Sequence, residues 1–267
     1  MSAPKAPLPA PSFAPAAALF SLAGRTALIT GASGGLGLAF AQILHGAGAD
    51  VILAARNEAR LGAEAAALGA RARSVRLDVT DDASISAMFA ALAARGVVAD
   101  IIVNNAGIAI TKPAIEQSAE EWDSVLDVDL RGAFLVAREA ARRLIASARA
   151  GSIINVASIL GIRVSAHLAS YTAAKAGLLQ LTKTLAVEFA RHRIRVNALA
   201  PGYIETEINA GFFQTEPGQA MIRRIPQRRL GTPADLAGPL LLLASEAGAH
   251  MTGATIVVDG GHSVAAV

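Results

Sequence analysis

The sequence predicts a single α/β domain, with a mostly parallel, doubly wound sheet of seven strands and helices on both faces. Two observations carry this. Short apolar, β-branched runs alternate with helix-patterned segments along almost the whole chain, as in strands joined by crossover helices. The first strand also runs straight into a glycine-rich turn, Gly31 to Gly37, that opens a helix. Composition agrees: 267 residues, 53% of them apolar and 17% charged, suffice for one α/β domain with a sizeable core.

Several function classes are excluded or disfavoured. The absence of cysteine rules out disulfides and thiolate metal sites, and fits a reducing cytoplasm. No apolar run reaches the ~18 residues of a membrane helix, so no membrane partner is expected. Net charge is only +3. The arginines are scattered or paired (Arg142 and Arg143, Arg223 and Arg224, Arg228 and Arg229), without a basic stripe interleaved with aromatics. Nucleic acid is therefore not an expected partner. His45, His192, His250 and His262 have no metal-ligand spacing.

Residues 1 to about 20 are rich in Ala and Pro and read as a flexible arm without regular helix or strand. They lack the charged n-region and long apolar run of a secretory signal. A single folded domain is expected over residues 21–267. Arg25 to Thr30 is a buried strand, and Leu38 to Gly46 has helical spacing. Between them, glycines let the backbone approach a ligand, and the helix N-terminus offers free N–H groups to a pyrophosphate. Asp50 to Ala55 is the second strand. It ends where a dinucleotide fold reads the adenosine ribose. Ala55, Arg56 and Asn57 stand there, so no carboxylate meets the ribose 2′-OH, and a guanidinium is placed to pair with a 2′-phosphate. NADP(H) is favoured on this ground, with NAD(H) still possible.

Asn57 to Leu68 reads as a helix, Arg73 to Leu77 as the third strand, and Thr80 to Ala94 as a helix. Asp100 to Val103 is the fourth strand, and the small-residue turn Asn104-Asn105-Ala106-Gly107 follows. Glu120 to Ala148 is one long helical pattern. Gly151 to Ser158 is the fifth strand, Ala169 to Arg191 a helix, and Ile194 to Leu199 the sixth strand. The stretch 207–230 is irregular and reads as a lid over substrate, with Phe212 and Phe213 facing an apolar portion and Arg223 and Arg224 leaving an anionic substrate open. Pro233 to Ala244 is a helix and Ala254 to Val258 the last strand.

Tyr171 and Lys175 are four apart, hence on one helix face. Ser158 lies thirteen residues upstream of Tyr171, about 20 Å away on a continuous helix, so its hydroxyl must come from the preceding strand end. Together they suit proton transfer to a carbonyl oxygen. A free phenol titrates near ~10, a nearby ammonium stabilises the phenolate, and the serine orients the substrate oxygen. Arg163 and His167 lie close by in sequence, and each is either a pocket residue or a surface one.

Thr30-Gly31-x-x-x-Gly35-x-Gly37, followed by Ser158, Tyr171 and Lys175, resembles the classical short-chain dehydrogenases/reductases from about Phe20 to Gly261. The overall likeness is to 3-oxoacyl reductases and to sugar or gluconate 5-dehydrogenases. The resemblance implies a Rossmann-like fold and a carbonyl/alcohol substrate. It implies that Tyr171 acts as general acid/base, Ser158 orients the oxygen, and Lys175 assists and bonds the nicotinamide ribose. It places Gly31, Ser33, Gly35, Leu36 and Gly37 at the cofactor phosphates, Arg56 and Asn57 at the ribose, and Asp78 and Val79 at the adenine. Asn105, Ala106 and Gly107 would border the cofactor. Pro201, Gly202, Ile204 and Thr206, from Pro-Gly-x-x-x-Thr, would lie against the carboxamide. It also implies a homotetramer with the Glu120 and Ala169 helices at one interface. The chain departs from the pattern twice. Asp129 replaces the Asn that helps hold a water linking the lysine to solvent. It can keep that role through its backbone carbonyl, or, if ionised, pair with Lys175 or raise the Tyr171 pKa. Gly34 stands where many NADP-dependent members carry a basic residue. A catalytically weak nucleotide sensor or scaffold is the alternative reading.

Overall fold

The computed structural model describes residues 15–207 and 209–265. Most of the proposed N-terminal arm lies outside them. Its described end departs from expectation, because Ala16–Leu19 form a one-turn helix, α1, behind Pro15. Proline breaks helices only from within, and its fixed φ suits the position just before one.

Seven strands form one parallel sheet in the order β3-β2-β1-β4-β5-β6-β7. They are β1 (Thr26–Thr30), β2 (Asp50–Ala55), β3 (Ala72–Arg76), β4 (Ile101–Asn104), β5 (Gly151–Val156), β6 (Ile194–Pro201) and β7 (Thr255–Val258). The expected doubly wound architecture holds, and every pairing is parallel. Central strands are buried on both faces, which is why they read as unbroken apolar runs. Alternate residues feed two cores. Leu28, Ile52, Ile102, Ile153 and Val196 face one helix layer. Ile29, Leu53, Val103, Ile154 and Leu199 face the other.

The helices of the first half are α2 (Gly35–Gly46), α3 (Glu58–Leu68), α4 (Asp82–Ala94), α5 (Ala119–Leu126) and α6 (Ala133–Ala146). Those of the second half are α7 (Ala169–Phe189), α8 (Ala210–Phe213), α9 (Glu216–Arg224) and α10 (Ala237–Ala244). Local chemistry sets their starts. Asn57 caps α3, Asp81 caps α4, and Ser118 with Glu121 forms a capping box on α5.

Two expectations need correction. The long helical pattern from Glu120 is interrupted, because Asp127–Gly132 form a wider π turn joining α5 to α6. Such a turn inserts an extra residue into the helical path and re-aims the side chains around it. The stretch expected to be irregular contains α8 and α9. Its neck is pinned where Ile204 bridges Gly231, with Glu205 N–H donating to Gly231 O and Gly231 N–H to Tyr203 O.

Sheet order reverses direction between β1 and β4, so their C-terminal ends splay apart and leave a crevice there.

Candidate active site

Thr30 ends β1 and organises this crevice. Its hydroxyl accepts the N–H of Asn105 and of Ala106, each at 3.0 Å, and its carbonyl accepts the Asn105 amide. Gly31 follows at φ +68°, where a Cβ would lie 2.9 Å from Ala106 Cα. A Cβ on Gly37 would strike the Gly31 carbonyl. Only glycine permits this close stacking of turn, helix and β4 loop.

Two hollows of about 350 and 380 Å3 meet at Gly31, Ala106 and Gly107. Ser33, Arg56, Asn57, Asp78 and Val79 line the first. Gly35, Leu36, Gly37, Asn105, Gly202, Ile204 and Thr206 line the second. Pro201 is buried at the end of β6, and Gly202 follows it into the wall, its N–H donating to Val258 O. The donors suit a dinucleotide. The α2 N-terminus has neither a side-chain cap nor an acidic residue in its first turn, so its N–H groups are free for phosphate oxygens. Asn57 also accepts the Arg60 N–H as helix cap. The Thr80 hydroxyl and N–H hold the Asp78 carboxyl below its ordinary range, and nearby Arg56 adds to this.

Arg60 was not foreseen. A Cβ on Gly34 would lie 2.8 Å from its guanidinium, which occupies the space a side chain at position 34 would use. A signal existed: helical side chains tilt toward the N-terminus, and Arg60 sits in the first turn of a helix capped at the ribose position. Its recorded partner, Glu207, is distant at 4.0 Å and exposed.

Lys175 ties α7, which also carries Tyr171, to the end of β5 that leads into Ser158. Ser158 is buried and accepts the Leu160 N–H. Lys175 reaches from α7 to donate to Val156 O at 2.9 Å, two residues before Ser158. Its Nζ is 5.5 Å from the Tyr171 ring centroid. A buried ladder holds these elements in register: Asn104 donates to Asn155 Oδ1, and Asn155 donates to the Thr182 hydroxyl on α7.

The π turn delivers Asp129 into this cluster. Its Oδ2 lies 3.1 Å from Lys175 Nζ, and its Oδ1 accepts the Ile108 N–H at 2.7 Å. Burial raises the carboxyl above the ordinary range, against the opposing pull of the Lys175 charge and the Ile108 N–H. Pairing with Lys175 is thus realised through the side chain.

Other expectations fare unevenly. Arg163 lines a further hollow and donates to His262 O. His167 is exposed, and its carbonyl accepts the Lys112 N–H. Phe213 is buried edge-on against Tyr203 rather than open to substrate, because α8 folds back onto the neck. Tyr203 itself was missed as a wall residue. Burial raises its phenol pKa, and Tyr171 is near enough to add to the rise.

A crevice built for a dinucleotide, with a Ser-Tyr-Lys cluster beside it, defines an oxidoreductase of carbonyl and CH–OH groups. The family model described as Enoyl-(Acyl carrier protein) reductase matches residues 31–263, and the chain belongs to the short-chain dehydrogenase/reductase family. It is 38% identical over 244 residues to 2-dehydro-3-deoxy-D-gluconate 5-dehydrogenase of Escherichia coli (strain K12), covering 91% of this chain and 96% of that one. It is 38% identical over 243 residues to 3-oxoacyl-(acyl-carrier-protein) reductase of Rickettsia bellii, covering 91% and 98%. A solved gluconate 5-dehydrogenase from Burkholderia cenocepacia J2315, in complex with NADP and tartrate, matches with a TM-score of 0.90. It is 36% identical, and the match covers 94% of this chain and 100% of that one. No helix among the described residues is long and apolar enough to cross a membrane.

Proposed function

We propose that this chain interconverts a carbonyl and a secondary alcohol of 3-oxoacyl or sugar/polyol type, with NADP(H) favoured and NAD(H) tolerated. The nicotinamide group, when bound, supplies or accepts the hydride. Residues 31–37, 56–57, 78–79, 105–107 and 201–206 would hold the cofactor, with Tyr171 and Lys175 bordering it. Tyr171 gives its proton to the carbonyl oxygen as negative charge develops there, and takes it back in the reverse direction. Ser158 donates a hydrogen bond to that oxygen and fixes its position. Lys175, held by Val156 O and Asp129, stabilises the phenolate.

The observation that carries this reading is the buried Lys175 ammonium beside the Tyr171 ring at the strand end bearing Ser158. NADP(H) preference draws support from Arg56, which lines the hollow at the end of β2 where Ala55 offers no carboxylate, and from the Arg60 guanidinium, which fills the space beside Gly34. Steady-state rates with NADPH and NADH on one carbonyl substrate test it: a higher kcat/KM with NADPH is expected, and a higher value with NADH contradicts the preference. Binding of NADPH without turnover on any carbonyl or alcohol would favour the sensor reading. We further take the protein as a cytoplasmic homotetramer. The exposed apolar residues Trp122, Phe134 and Val187 on α5, α6 and α7 fit helices that pack on a second copy.

A further inference from the structure

A hollow of about 970 Å3 opens beside Tyr203. It runs from Ile159 and Leu160, the residues directly after Ser158, to the C-terminal end of α9. Its polar wall is basic. Arg163, Arg223, Arg224, Arg228 and His262 line it, and no Asp or Glu among the described residues does.

These groups are not equally free. Arg163 donates to the carbonyls of His262 and Ala265. Arg228 donates to the Arg223 carbonyl, and Arg223 pairs with the exposed Glu216. Asp259 turns its carboxylate onto the N–H groups of Gly261 and Ser263 and lines a different hollow. Arg224 has no carboxylate or carbonyl partner among the described residues. Its charge nonetheless reaches both Tyr203 and His262. His262 packs at a tilt against Tyr203 with ring centroids 5.4 Å apart, and its buried Nδ1 has no hydrogen-bond partner among the described residues.

Cations gathered in one concavity raise its potential and favour an anion there, and a free guanidinium matches the geometry of carboxylate and phosphate oxygens. Ile159, Leu160 and Met221 supply an apolar side. We propose that this hollow is the substrate pocket and that the substrate carries an anionic group bound by Arg224. The substrate's reacting carbon then lies toward Ser158 and Tyr171. The inference rests on the oxidoreductase reading and adds the chemical class of its substrate.

Matched pairs test it: D-gluconate against D-gluconamide for a carboxylate, and acetoacetyl-coenzyme A against ethyl acetoacetate for a phosphate. The parent should turn over the anionic member of one pair with the lower KM, and which pair responds separates the two sources. Arg224→Leu should raise that KM by about ten- to a hundredfold. It should leave the neutral member's KM and NADPH affinity unchanged, and Arg224→Lys should recover part of the loss. Equal shifts for both members, or a parent preference for the neutral ones, overturn the proposal. Calorimetric titration of the same compounds reads the pocket without turnover. Anion binding lost in Arg224→Leu sustains the pocket even where no reduction occurs, a result that sinks the oxidoreductase reading alone. Failure of the parent to bind either anion overturns the pocket.

Discussion

The Asp129 carboxylate faces the Lys175 ammonium across 3.1 Å in the protein interior, held there by the Ile108 N–H. A negative charge at this point competes with the Tyr171 phenolate for the same cation. Asp129→Asn removes the competitor, leaving the ammonium to act on the phenol. The midpoint of the pH–rate profile for alcohol oxidation should then fall by about one pH unit. Superimposable profiles for parent and variant would refute an electrostatic role for Asp129.

Arg56 lines the hollow at the end of β2, where Ala55 stands in place of an acid, and the Arg60 guanidinium fills the space beside Gly34. Alanine at either position should weaken NADPH binding by about tenfold, as expected for one lost charge-assisted bond, with NADH binding little changed. The space shared by Gly34 and Arg60 supplies a sharper test. Gly34→Lys in an Arg60→Ala background should restore NADPH affinity, whereas Gly34→Lys alone should collide with Arg60 and gain nothing. Cofactor fluorescence titration distinguishes these cases.

Arg60 also marks what could be read from the chain. Unbroken apolar runs located the central strands because a parallel sheet buries both their faces, while the edge strands β3 and β7 are only partly buried. The glycine turn and the Ser158, Tyr171 and Lys175 spacing located the crevice because few other folds need those residues there. The π turn at Asp127–Gly132 escaped notice because one extra residue in a helical path barely disturbs its apolar periodicity. Arg60 and Tyr203 escaped because they enter the site through packing of α3 and the neck, and no local pattern encodes that; Arg223 and Arg224 were visible as a pair, but only the packing of α9 separates the paired Arg223 from Arg224.

Acid should destabilise the fold with a defined sign. Asp78 is held below its ordinary range by Thr80. Glu121 is held down by the Ser118 N–H and Lys112, and Asp235 by Arg229 and Thr232. Each contributes stability above the unfolded carboxylate pKa that is lost as pH falls through the lower folded value. The melting temperature should drop between about pH 5 and pH 2. Asp129 has the opposite sign. Its raised value gives stability that is fully present below the unfolded pKa and lost as pH climbs through the folded one. Asp129→Asn should therefore steepen the acid drop, and a shallower one would contradict the assignment.

The segment between Ile204 and Gly231 has its two ends bridged to each other, and it meets the rest of the protein through the edge-on contact of Phe213 with Tyr203 and the Gln227 N–H donating to Gly260 O. Phe213→Ala should loosen it, raising substrate KM while leaving NADPH affinity unchanged, and should speed limited proteolysis within 205–230. Equal losses in substrate and cofactor binding would show that the segment does not act as a substrate lid.

In the proposed NADP(H)-linked carbonyl reduction Tyr171 moves the proton, and Tyr171→Phe removes the hydroxyl that carries it. NADPH-dependent turnover should fall by about a hundred- to ten-thousandfold, as expected for a lost general acid, with NADPH affinity retained. Undiminished turnover in Tyr171→Phe would rule out this proton route.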